Sequence, residues 1–328
     1  MKMRIGAVVL LCVLSVLVMH HIRRPVETLL SDPEALSLLL YWETGKVLET
    51  VPAETNTGPV QTTVAVETVP AGLLFSEADA ALVQVSNFCD YPVDIPALLT
   101  EQLQWDLTES QPTVLILHSH ATESYTQTEQ FAYTPSSAYR TLNTQRNMVR
   151  VGAALKEALE QMGIGVIHDT TLHDYPSYNE AYIQSRETVQ QWLALYPSIS
   201  LVIDLHRDAA GNSAEKQLST GTVIDGTKTA QVMLVVGSNA GGRNHPHWEE
   251  NFSLAVKLHV QLERRFPGIC RPISFRTERF NQDLSSGALL IEIGAAGDTL
   301  EEALAAAAFL AQGISDLALG TVTADSTS

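Results

Sequence analysis

Between residues 110 and 318, short apolar runs rich in Val, Ile and Leu alternate with longer stretches of helical spacing, and no other feature restricts the fold as much. Parallel strands need a crossover connection, usually a helix, so the alternation predicts a mostly parallel, twisted α/β sheet flanked by helices. The strand TVLIL (113–117) leads to NMVRVGAALKEALEQMG (147–163), apolar at Met148, Val151, Leu155 and Leu159 and ending at Gly163. IGVIH (164–168) reads as the next strand and NEAYIQSRETVQQWLALYP (179–197) as the next helix. SLVIDLH (200–206), a hairpin-like stretch and VMLVVG (232–237) follow, then a helix within 247–266 and the strand ALLIEIG (288–294). Asp298 with Glu301 reads as a capping box opening an Ala-rich helix.

In open α/β sheets, ligands bind at the carboxyl ends of strands, and three strands here end in groups that hold metals or move protons. TVLIL runs into HSHATESY (118–125), with His118, His120 and Glu123; SLVID runs into His206 and Asp208; ALLI runs into Glu292. Two neutral imidazoles and a carboxylate suit a catalytic Zn2+ that keeps a position for water, and a further carboxylate can act as general base. Taken singly, a strand-end histidine has a plain structural reading. Two separated by one residue also point to opposite faces if the strand continues, so one of His118 and His120 is expected to be structural. Glu292 lies between Ile291 and Ile293 and is costly to bury without a partner or metal. Asp204 reads as a residue that orients a histidine through its second nitrogen. Asp208 and His245 are further candidates for supporting or substrate-binding roles; the Gly- and Asn-rich loop around His245 has no Lys-Ser/Thr of a phosphate loop. No GxSxG is present, which removes the nucleophile-elbow hydrolases.

Ahead of this domain stands MKMR and an uncharged apolar run, Ile5–Met19. Residues 1–24 are expected to be a membrane anchor or signal segment, with an uncleaved anchor favoured because no small-x-small cleavage site follows. Residues 25–109 read as a juxtamembrane helix (DPEALSLLLYWETGKVL, 32–48), a Thr/Val/Pro/Glu linker (49–72) and an N-terminal extension. Residues 110–318 are the catalytic domain and 319–328 a loose tail. With 37 acidic against 20 basic residues the formal charge is −17, and no basic stripe exists, so a nucleic-acid partner is excluded. Cys12, Cys89 and Cys270 show no zinc-binding spacing, and pairing of Cys89 with Cys270 is left open.

The segments LILHSHATESY, NMVRVGAALKEALEQMGIGVIHDTTLHDYPSYNEAY, DLHRDA, VGSNAGGRNHPHWEEN and RFNQDLSSGALLIEIGAAGDTLEEA resemble, in order and spacing, the stage II sporulation protein P family of membrane-anchored cell-wall hydrolases. The resemblance implies a single domain like that of the zinc-dependent N-acetylmuramoyl-L-alanine amidases. It implies cleavage of the amide between muramic acid and the first L-alanine of peptidoglycan, with stem-peptide endopeptidase activity. It further implies septal wall thinning and engulfment during endospore formation, beside a lytic transglycosylase and a membrane scaffold, in the space between mother cell and forespore. His120 and His206 fall on the family's metal histidines and Glu292 on its catalytic glutamate. The wider amidase group opens its first long helix with a metal-binding glutamate, but NTQRNMVRV has none, so that role passes to Glu123, with His118 as the alternative. Other readings of the same residues are a purely peptide-directed zinc endopeptidase and an inactive wall-binding scaffold.

Overall fold

The apolar runs become strands whose side chains alternate between two faces, and that alternation builds the site. The computed structural model describes residues 75–319, apart from 104–106, 108–110 and 214–215. The expected anchor, the helix at 32–48, the linker and the tail after 319 lie outside the described residues. Among the described residues no helix is long and apolar enough to cross a membrane.

The strands are β1 (Val85–Asn87), β2 (Val114–Leu117), β3 (Val166–His168), β4 (Leu201–Asp208), β5 (Gly211–Ser213), β6 (Lys216–Gln217), β7 (Gly221–Ile224), β8 (Thr227–Ala230), β9 (Val232–Val236), β10 (Ile273–Phe275) and β11 (Ala288–Ala295). Seven of them form one sheet in the order β1-β10-β9-β11-β4-β2-β3, and β5-β6 and β7-β8 are separate two-stranded ribbons. Every neighbouring pair in the large sheet is parallel except β11 with β9. The helices are α1 (Ile95–Thr100), α2 (Met148–Gln161), α3 (Ala181–Leu195), α4 (Trp248–Arg265) and α5 (Leu300–Leu319).

Two expectations need correction. The domain begins well before residue 110: β1 pairs with β10 in the sheet, and Leu99 of α1 is buried in the main core. VSN and ISF contain no apolar run of the kind that marks IGVIH at β3, so β1 and β10 escaped notice. The cap of α5 also sits one residue later than expected. Thr299 and Glu302 bond reciprocally, Thr299 N–H to Glu302 Oε2 at 2.8 Å and Glu302 N–H to Thr299 Oγ1 at 3.3 Å. Asp298 is fully buried and instead accepts from Thr220 N, Thr220 Oγ1 and Ala295 N.

On one sheet face Ile116, Ile203, Leu205, Leu289, Ile291 and Ile293 pack with Leu155, Leu258 and Leu310 of α2, α4 and α5 into the main core. On the other, Leu115, Leu117, Val202 and Ala288 meet Val189 of α3 in a smaller cluster. That cluster covers only one end of its face. Further along the same strands, positions of the same parity are Asp204, His206, Asp208, Leu290 and Glu292, and there the face opens into a cavity.

His118 points into the main core, on the face away from that cavity. Its Nδ1 donates to the Leu205 carbonyl at 2.9 Å, so in the neutral tautomer its Nε2 accepts from His168 Nε2, also at 2.9 Å. Burial pushes His118 down to about 3 and His168 to about 4, keeping both neutral. The pair needs a glycine on the helix above it. A Cβ on Gly152 would stand 2.5 Å from His168 Nε2 and 2.7 Å from His118 Nε2. Gly152→Ala is therefore expected to destabilise the domain by about 1–3 kcal/mol, read as a lower urea midpoint at unchanged slope. An unchanged midpoint would mean that the histidine pair yields without cost.

Candidate active site

Strand β11 lies beside β4 with Glu292 in register with His206, so both side chains rise from neighbouring strands on one face. His120 joins them from the turn after β2, and Glu123 follows three residues later. These four groups, with Tyr182, Arg207 and Asp208, line a cavity of about 260 Å3 that reaches across the sheet to Ser274 and Arg276. The expected rim of strand ends is thus replaced by an open stretch of sheet face, because His206 and Glu292 sit inside their strands.

His206 is held from both sides. Its Nε2 lies 2.9 Å from Asp204 Oδ1 and 2.9 Å from Ser119 Oγ, while the Ser119 N–H donates to the same Asp204 oxygen at 2.7 Å. Its Nδ1 faces Glu123 Oε2 at 3.4 Å. Burial disfavours the imidazolium, but the Asp204 charge and hydrogen bond outweigh it, and His206 is raised well above the usual histidine range. Asp204 stands on the side of His206 away from Glu123, where a carboxylate orients an imidazole.

Glu123 is buried, and burial alone would raise its pKa. The nearby Arg207 guanidinium, His206 and Arg140 outweigh that and hold its carboxyl far below the usual range. Arg140 Nη2 donates to Glu123 Oε1 at 3.0 Å and its Nη1 to Asp174 Oδ2 at 2.6 Å; Arg207 Nη1 lies 3.5 Å from Glu123 Oε1. Arg207 is itself fixed by the Ser124 and Tyr139 carbonyls.

Glu292 is the opposite case. Burial raises it to about 8, the His206 charge opposing and the Glu123 charge adding, and its Oε2 has no hydrogen-bond partner. Two carboxylates in one cavity thus differ widely in proton affinity, as a division between a fixed charge and a proton carrier requires. His120 is lowered to about 4, chiefly by burial and then by the His206 charge; its ring stacks on Tyr178 at 4.4 Å and meets His206 edge-on at 5.4 Å. Its Nδ1 is buried without a partner.

No group of three or more His, Cys, Asp or Glu among the described residues stands close enough together to hold an ion as it is. The donor chemistry nevertheless fits a zinc ion. Ligands of a tetrahedral zinc stand about 3.3 Å apart, which is close to the 3.4 Å between His206 Nδ1 and Glu123 Oε2. His120 lines the same cavity, and its Nδ1, buried without a partner, would be the third donor.

The structure does not bring the remaining candidates to this cluster, Asp208 excepted. His118 faces the other side of the sheet with both nitrogens engaged. Asp208 lines the cavity but pairs with Arg271 at 2.8 Å. His245 is buried in the loop before α4, lowered to about 4 by burial against the opposing charge of Asp283, and both its nitrogens lack partners; it does not line the cavity. Cys89 and Cys270 are both free. Sequence reasoning missed Arg140, Arg207, Ser119 and the tyrosines. Arg207, a charge inside an apolar strand, carried a legible signal, whereas Arg140 reaches Glu123 only through the folding of the loop between them.

An α/β sheet that gathers two imidazoles and two carboxylates of unlike proton affinity in one cavity has the makings of a hydrolase site. The profile of the stage II sporulation protein P (SpoIIP) family matches residues 54–315, and the chain belongs to this family. It is 32% identical over 206 residues to a stage II sporulation protein P of Bacillus subtilis (strain 168), covering 60% of this chain and 48% of that one, so the match spans about half the relative's length. Among solved structures it is similar to the N-acetylmuramyl-L-alanine amidase of Mycobacterium smegmatis, with TM-score 0.39 and 11% identity over 66% of this chain and 99% of that one. The N-acetylmuramoyl-L-alanine amidase of Nostoc punctiforme is similar at TM-score 0.37 and 12% identity, over 63% and 96%. Likenesses this distant carry nothing about chemistry.

Proposed function

We propose that the chain is a zinc-dependent N-acetylmuramoyl-L-alanine amidase that also cuts within the stem peptide, and that it thins septal peptidoglycan during engulfment. The observation that carries this reading is the pairing of Glu292 with His206 in one cavity with His120 and Glu123. His120, His206 and Glu123 would hold the metal. Zinc bound there would lower the pKa of a water molecule toward neutrality and polarise the scissile carbonyl.

The protein's own groups supply the rest. Asp204 keeps the His206 ring turned with Nδ1 toward Glu123. Arg140 and Arg207 keep Glu123 ionised and fixed. Glu292 takes the proton of the attacking water and passes it to the departing L-alanine amine. Its raised pKa, lowered by a cation in the cavity, places it near the working pH for both transfers. Membrane attachment through residues 1–24, a lytic transglycosylase, a membrane scaffold and a place between mother cell and forespore belong to the same proposal and rest on family membership.

The test is digestion of purified peptidoglycan by the full zinc-supplied chain, with products identified by mass. Stem peptides with a free L-alanine amino terminus are the expected outcome. Shorter peptide fragments alone would replace the amidase by an endopeptidase, and no products from folded, zinc-loaded protein would leave a wall-binding scaffold.

A further inference from the structure

Across the sheet the groups of the site follow strand order: Arg276 directly after β10, then β9, Glu292 on β11, His206 on β4 and His120 after β2. Beyond His120 lies a second, larger concavity of about 590 Å3. The two ends differ in chemistry.

The concavity beyond His120 is lined by Ser136, Ser137, Leu142, Tyr175, Pro176 and Tyr178, with Arg140 and Asp174 at its base. Its charges are spent internally, since Arg140 bonds Asp174 and Glu123, and the Asp174 side chain is fully buried. What remains is neutral: hydroxyls, an aliphatic edge and two tyrosines, each 53% exposed. The Tyr178 ring that lines it stacks directly on His120, so this surface continues the site. Tyr178 lies between His120 and the Arg140 guanidinium, which leaves the Tyr175 ring beside hydroxyls, and that suits a neutral ligand with apolar ring faces and polar edges, as a chain of N-acetylated sugars has.

At the opposite end Arg276 lines the cavity with 39% of its side chain exposed. Among the described residues its Nε pairs with the exposed Glu278 at 3.4 Å and its guanidinium lies over the Phe88 ring, 4.9 Å from the centroid, while its terminal nitrogens have no hydrogen-bond partner. The other arginine of the cavity wall, Arg207, is bonded to Ser124 and Tyr139 and faces Glu123. In a chain of net charge −17, an arginine held at its Nε edge by Glu278 and on one face by Phe88, with its terminal nitrogens unbonded in a cavity, suits an incoming carboxylate. Ser274 aligns with Val235, and Val235 with Leu290. Glu292 pairs with Met233, so the Arg276 backbone lies two strand spacings across the sheet and about four residues along it from Glu292, roughly 16 Å, a gap that the arginine side chain shortens within the cavity both residues line.

We infer that the substrate crosses the site with one polarity: the glycan strand lies in the Tyr175–Tyr178 concavity, and a stem-peptide carboxylate docks on Arg276, with the scissile amide between them. This rests on the amidase reading of the site and adds the direction in which the polymer is held and the residues that select each half.

The test uses the full chain and two probes, a β-1,4-linked N-acetylglucosamine tetramer and the free tripeptide L-alanyl-γ-D-glutamyl-diaminopimelate, with binding read by calorimetry. Tyr175→Ala is expected to weaken the tetramer by about tenfold and hardly touch the tripeptide, while Tyr175→Phe, which keeps the ring, binds the tetramer normally. Arg276→Gln is expected to do the reverse, weakening the tripeptide by about tenfold. Both side chains are substantially exposed, and thermal unfolding of each variant checks that the fold is intact. The polarity is overturned if one variant weakens both probes, if neither variant discriminates, if the probes displace one another, or if the unsubstituted chain binds neither. Peptidoglycan digestion by the same preparations separates the two readings. Digestion without the crossed binding pattern removes the polarity and leaves the amidase, whereas the crossed pattern without digestion does the opposite.

Discussion

Glu292→Gln is expected to cut release of L-alanine-terminated stem peptides by roughly a thousandfold while leaving zinc binding intact. Glutamine keeps the shape and polarity of the side chain but cannot carry a proton from water to the departing amine. The same change is expected to stabilise the metal-free protein. Burial raises Glu292 from its ordinary value of 4.5 to about 8, so between those values the unfolded chain gives up a proton that the folded chain keeps. Stability of the unsubstituted protein therefore falls as pH rises through that window, and the glutamine variant escapes the loss. Below pH 4.5 the two should unfold at similar urea concentrations; at pH 8, with chelator present, the variant should be more stable by on the order of a few kcal/mol. Equal midpoints at both pH values would show that the carboxylate is not strained. Full turnover by the variant would remove Glu292 from the chemistry.

His206→Ala is expected to abolish stoichiometric zinc binding and, with it, activity. It also removes the cation between Asp204 and Glu123. Glu123 retains Arg140 and Arg207, but Asp204 keeps only the Ser119 group among its hydrogen-bond partners, as a buried carboxylate stripped of its charge partner. Breaking a buried pair from one side costs about 3–5 kcal/mol, so the variant should unfold at a clearly lower denaturant concentration even without metal. Zinc content per chain after gel filtration, together with a urea titration, reads both effects. Retention of one zinc per chain would move the metal away from His206.

The α/β class was legible because Met148, Val151, Leu155 and Leu159 repeat at helical spacing and TVLIL and ALLIEIG are too short for anything but strands. β1 (VSN) and β10 (ISF), which contain no apolar run, were not. They exist because β9 offers an edge and the main core has a side to cover. Within the site, His120, His206, Glu123 and Glu292 stood out as polar groups set in or against apolar runs, and the cost of burying them was the signal. His118 stood out equally, and only the continuation of β2's alternation turned it to the other face. The reason for Asp298's burial, its hold on Thr220 and Ala295, was invisible because those partners come from separate segments.

By itself, the sequence determined a crossover-connected sheet and, through the two-residue period of a strand, that Asp204 shares a face with His206 and Leu290 with Glu292. These are local properties, set by propensity and by the geometry of an extended chain. Only the tertiary structure decided that β11 lies against β4 with Glu292 opposite His206, that Tyr182 of α3 joins them in one cavity, and that Arg140 and Arg207 close on Glu123. Strand order and register are set by long-range pairing, which the period of a single strand does not encode. A charge acquires its proton affinity only from the neighbours that such pairing brings to it.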